Sequence, residues 1–138
     1  MDPVSVISLA ASIVAVVQLT GLCLKLSGKL LGPSKHSSKD LQVISANLYS
    51  FNGALRNLQT HFEICEEDEG RLMALAELRE PLRDCEKALK SVSERLQGVK
   101  SIGKAISGVR FDSKLKTCMS SLEHSRALFN EALQADQK

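Results

Sequence analysis

The chain has 138 residues and a formal net charge of +2 from 18 basic and 16 acidic side chains, with 4 cysteines, one tyrosine and no tryptophan. That length fits one domain with a single core, burying about two-thirds of the unfolded surface. The near-balanced charge leaves no general nucleic-acid footprint, and the shortage of aromatic rings removes stacking platforms, so nucleic acid is not expected as a partner; nor, in the absence of catalytic motifs, is a small-molecule substrate.

The first element is the most distinctive. From Pro3 to Leu24 the sequence PVSVISLAASIVAVVQLTGLCL carries no charge and is mostly apolar. At ~1.5 Å per residue, a helix of that length spans roughly 33 Å, about the thickness of a bilayer's hydrocarbon core. Asp2 suits an N-cap and Pro3 the first helical position, where a missing N–H costs nothing. Lys25 and Lys29 complement the macrodipole near the other end, and Gly32-Pro33 closes the helix at about Leu31. Ser5, Ser8 and Ser12 share a face with Ala15, which lets a neighbouring helix approach closely in a core or in lipid. Met1-Asp2 offers neither the positive start of a secretory signal nor the glycine that myristoylation needs, so a cytoplasmic location is expected.

Gly32 to Ser38 form a breaker and cap cluster that announces a second helix. Leu41, Ile44, Leu48, Phe51, Leu55, Leu58, Phe62 and Cys65 then recur at steps of three and four, the strongest periodicity in the chain. The acidic run Glu66-Glu67-Asp68-Glu69 with Gly70 makes a turn, and its carboxylates suit the start of the next helix. It lacks the alternating ligand spacing of a calcium loop.

A third helix is expected from about Glu69 to Leu96, with Leu72, Leu75, Leu78, Leu82, Cys85, Leu89, Val92 and Leu96 on one face and Gly98 at its end. Pro81 interrupts it. Because the stripe keeps its phase across the proline, a kink there, or a break into two collinear pieces, is expected. The last helix spans roughly Asp112 to Gln134, capped by Asp112 or Ser113, with Leu115, Cys118, Leu122, Phe129 and Leu133 facing inward. Between these helices, GVKSIGKAISGVRF at 98–111 carries Lys100, Lys104 and Arg110 without an acid, interleaved with Val99, Ile102, Ile106 and Val109. It reads either as a connection with solvated lysines or as a basic, apolar segment suited to an anionic membrane surface.

No strand pattern competes with these helices. The fold class is all-α: an antiparallel up-down bundle of four long helices, the third broken or kinked at Pro81, with the apolar N-terminal helix at its core and wrapped by the later stripes. Cys23, Cys65, Cys85 and Cys118 fall on apolar helix positions without C-x-x-C spacing, as reduced core thiols do. His36, His61 and His124 sit in three different elements without metal-ligand spacing. The glycines form no phosphate loop, and no serine sits in a nucleophile elbow. Neither an enzyme, a metal nor a cofactor is expected.

The stretch MDPVSVISLAASIVAVVQLT, Met1 to Thr20, resembles the opening of the HeLo-like N-terminal domains of fungal STAND and NLR-like proteins. LREPLRDCEKALKSVSERL, Leu78 to Leu96, is similar to the third helical region of the same domains, and the remaining helices match in pattern. The resemblance implies a membrane-targeting, cell-death-inducing domain of the kind that acts in heterokaryon incompatibility and fungal innate immunity. It also implies the N-terminal module of a longer protein, followed by a nucleotide-binding platform, repeats or an amyloid-type signalling motif.

Carried onto this chain, membrane insertion falls on the N-terminal helix, at Val4, Ile7, Leu9, Ile13, Val14, Val17 and Leu22. Lys100, Lys104 and Arg110 would meet lipid headgroups. The partners would be anionic membrane lipids and further copies of the chain, with relocation to the plasma membrane on activation. The rival expectation is a helical adaptor or oligomerisation module, in which the apolar run is a buried core helix and nothing enters a membrane.

Overall fold

The computed structural model describes residues 3–31, 39–65, 68–102 and 113–136, with side chains left undescribed at 3–6, 31, 65, 69, 72, 74, 99–102 and 136. The elements are α1 (Pro3–Leu31), α2 (Lys39–Cys65), α3 (Glu69–Ala76), α4 (Arg79–Ile102) and α5 (Ser113–Asp136), and no strand occurs among the described residues. The fold is an all-α four-helix bundle in which α3 and α4 together form the third member.

Helix directions alternate along the chain. The seven residues 32–38 reach at most about 28 Å, whereas α1 and α2 are each about 40 Å long, so the two pack antiparallel. Between α4 and α5, Pro81 meets Ser125 and Ser91 meets Cys118, so residue numbers run in opposite senses. Between α2 and α5, Phe51 packs on Phe129 while Asn57 and Ile64 share a groove with Leu133, so the numbers rise together and this pair is parallel. The neighbours are α1 with α2 and α4, and α5 with α4 and α2. Consecutive α2 and α4 therefore face each other across the diagonal, and α3 makes the crossing, touching α1, α2 and α5.

The core is built from the expected stripes. Leu41, Ile44, Leu48, Phe51, Leu55, Leu58 and Phe62 of α2 are buried, as are Leu75, Leu78, Leu82, Cys85, Leu89, Val92 and Leu96 of the third member. Leu115, Cys118, Leu122 and Phe129 of α5 join them, with Leu133 packed at the margin. Cys65 and Leu72 lie outside the described side chains. The Phe51 and Phe129 rings meet with centroids 6.0 Å apart at 48°, a tilted pairing that ties α2 to α5.

Two boundaries differ from expectation. The third helix breaks at Glu77-Leu78, before Pro81 and not at it. A proline ring clashes with the carbonyl four residues earlier, here that of Glu77, so the ladder opens at that point and Pro81 sits in the first turn of α4, where no N–H is needed. The Leu78 N–H donates to the Leu75 carbonyl at 3.0 Å and the Leu82 N–H to Leu78 at 2.9 Å, bridging the break. Gly98 does not end the helix, because α4 runs on to Ile102. Gly98 is exposed in helical backbone, where its cost is only about 1 kcal/mol, too little to stop a helix anchored by Val92 and Leu96. At the start of α3 the Asp68 carboxylate caps the helix, accepting from the Arg71 N–H at 3.2 Å, while Glu66 and Glu67 lie outside the described residues.

Candidate membrane-contact face

α1 is uncharged from its first residue to Leu24, so composition alone assigns it no inside and no outside. Packing assigns both. Leu9, Ile13, Val16, Cys23, Leu26 and Leu30 are buried against the other helices, and Ala10, Val17, Leu19 and Leu24 pack at the edges. On the opposite side Ile7, Ala11, Val14, Gln18, Leu22, Lys25 and Lys29 recur at steps of three and four and are all exposed. The expectation that the later helices wrap α1 all round is corrected here. The helix contributes one face to the core and occupies a corner of the bundle, with α2 and α4 as its main neighbours and α5 on the diagonal.

The exposure is substantial: Ile7 is 67%, Val14 44% and Leu22 37% accessible. The apolar span Ile7–Leu30 is long enough to cross a bilayer, and 28% of an 18-residue window within it is buried. A core helix of a soluble protein would be mostly buried, and a surface helix would carry charges outward. α1 carries apolar side chains on both sides.

The expected insertion residues therefore divide. Ile7, Val14 and Leu22 share the outward face, Leu9 and Ile13 belong to the core, Val17 sits at the edge, and the side chain of Val4 lies outside the described residues. Lys100 lies on the last turns of α4 with its side chain outside the described residues, as are Lys104 and Arg110 altogether. Sequence reasoning also passed over Lys25 and Lys29 as surface groups, although their spacing from Leu22 already placed them on its stripe.

The buried hydroxyls of α1 look inward to their own helix. Thr20 Oγ1 donates to the Val16 carbonyl at 2.7 Å and Ser27 Oγ to the Leu24 carbonyl at 3.0 Å, so both are satisfied by carbonyls within one turn. The Cys23 thiol instead crosses to α4, donating to the Leu89 carbonyl at 3.3 Å.

A groove of about 420 Å³ between α4 and α5 is lined by Asp84, Lys87, Ser91, Lys114, Cys118 and Ser121. Burial raises the Cys118 thiol above its ordinary value, against the opposing pull of Lys114, Ser91 and Arg95, so the sulfur is held protonated and is a poor nucleophile. Among the described residues no three His, Cys, Asp or Glu side chains gather to hold a metal ion. Compared with known proteins, the chain matches no family model, no curated protein and no solved structure.

Proposed function

We propose that this domain is a membrane-targeting effector of the HeLo-like, cell-death-inducing type: a closed cytoplasmic bundle that, when copies cluster at the plasma membrane, releases α1 into the bilayer. The observation that carries the reading is the outward face of α1, where Ile7, Val14 and Leu22 stand exposed on a helix without a charge before Lys25.

Magnitudes decide what such a switch needs. Withdrawing Leu9, Ile13, Val16, Cys23, Leu26 and Leu30 from the core into water costs roughly 10 kcal/mol or more, so α1 stays docked in solution. A bilayer offers those side chains an equally apolar environment and rewards the outward face as well. A helix keeps its backbone hydrogen bonds in lipid, and Thr20 and Ser27 keep theirs, so transfer strands neither group. Clustering supplies the bias, because weakly inserting helices held together act with avidity. Lys100, Lys104 and Arg110 would contact anionic headgroups. No step calls for a catalytic residue, a cofactor or a small-molecule substrate.

The adaptor reading explains the apolar run by burial, and leaves the exposed Ile7, Val14 and Leu22 to be covered by a protein partner. Dye release from anionic liposomes, with and without forced clustering of the purified domain, separates the two. Release that requires clustering supports the effector; no release in either state leaves the bundle as an interaction module.

A further inference from the structure

We infer that Lys25 and Lys29 form an anionic-lipid contact site, and that the intact bundle docks on a membrane through the outward face of α1, inclined with Ile7 deeper than Leu22, before any helix is released. The inference rests on the membrane reading above and adds to it a site, an orientation and an order of events.

The stripe Ile7, Ala11, Val14, Gln18, Leu22, Lys25, Lys29 is exposed throughout and changes character once along its length. From Ile7 to Leu22 it is apolar apart from the neutral Gln18. One turn further it turns cationic, and α1 contains no acidic residue anywhere. Ile7 and Lys25 are separated by about 27 Å of helix, so the two characters occupy opposite ends of one surface. The face thus joins an apolar stretch to an exposed cationic end. An anionic bilayer answers both ends, hydrocarbon for Ile7 and Val14, phosphate for the lysines, whose long stems let their heads stay at the surface.

A helix lying flat in the interface carries its cations along the flanks of its apolar stripe. Here they follow the stripe at one end, which inclines the helix and sinks the Ile7 end. None of these residues belongs to the buried side of α1, so docking leaves Leu9, Ile13 and Val16 in the core and needs no unfolding.

The test uses the unclustered protein and phosphatidylcholine vesicles with and without phosphatidylserine. Because the chain has no tryptophan, Ile7→Trp and Leu22→Trp each provide a single reporter at an exposed position. With phosphatidylserine present, Trp emission from position 7 should shift blue and be quenched by lipids brominated deep in the chain, and position 22 should respond less. Lys25→Gln/Lys29→Gln should weaken vesicle binding about 25-fold, some fivefold per lysine, with helicity unchanged. The charge-matched Lys114→Gln/Lys116→Gln on α5, across the diagonal from α1, should not.

Equal quenching at both positions, or binding indifferent to Lys25 and Lys29, overturns the inference. So does a concentration-dependent blue shift without vesicles, which would mean that a second copy covers the face. Dye release by the clustered protein is read separately: its persistence in the lysine variant would keep the effector reading while this docking site fell, and its absence in the parent protein would remove the reading itself.

Discussion

The thiol of Cys23 donates to the backbone carbonyl of Leu89 at 3.3 Å across the seam between α1 and α4. Both residues are fully buried. Burial, with a smaller contribution from Cys118, pushes the Cys23 thiol up to about 12, so it remains a donor at physiological pH. Cys85 is likewise pushed up to about 12 by burial, reinforced by Asp84 and opposed by a hydrogen bond with Ser125. The Cys23 sulfur lies on the surface that must part if α1 leaves.

Native Cys23, Cys85 and Cys118 should therefore react slowly with a thiol reagent and label quickly only in denaturant. Stability should also fall at high pH. The folded pKa of Cys23 and of Cys85 lies above the ordinary 9.0, so their contribution is complete below pH 9 and is lost as pH rises toward 12. The slope is about 1.4 kcal/mol per pH unit for each thiol in that window. Urea midpoints measured across it should drop less steeply for Cys23→Ala than for the parent chain. Fast labelling of Cys118 without denaturant would contradict its place in the core.

Pro81→Ala should change the thermal midpoint little, because the proline occupies the first turn of α4 and removes no hydrogen bond there. Moving the proline about two turns further into the helix, as Ala88→Pro, should cost about 3 kcal/mol or more. A large loss from Pro81→Ala would mean that the break at Glu77-Leu78 is itself needed to cross from α2 to α4.

Much of this architecture was legible in the residues. Leu41 through Phe62 and Leu75 through Leu96 alternate apolar and polar positions with the helical period, and each stripe points to the core in the structure. Asp68 and Pro3 mark helix starts by chemistry that local sequence carries. The faces of α1 were not legible for the opposite reason: Ile7 and Ile13 are the same residue in the same apolar run, and only packing sends one outward and the other inward. The crossing by α3 was equally hidden, because periodicity states which face of a helix is buried and not which helix covers it. Pro81 signalled a break, whose position one carbonyl-to-ring clash earlier follows from geometry.

Replacing Lys100, Lys104 and Arg110 together with glutamine should weaken binding to anionic liposomes by about 1 kcal/mol per charge, with the loss shrinking as salt rises. Unchanged binding would make this stretch a connector only. Sedimentation with vesicles at low and high ionic strength reads both effects.

The most direct measurement places one charge on the outward face of α1. Ile13→Asp cannot serve, since a buried, unpaired carboxylate disrupts the core as well as insertion. Ile7→Glu and Val14→Glu can, because both positions meet water in the folded bundle. Val4→Glu, or removal of the first few residues, makes the same comparison at the end of the helix. Each variant should keep the parent's helicity and melt within about 0.5 kcal/mol of it. When clustered on anionic liposomes, each should release dye far more slowly than the parent, because the new carboxylate has to enter hydrocarbon. A folded Val14→Glu variant that releases dye as fast as the parent would contradict insertion by α1 and leave the domain as an adaptor.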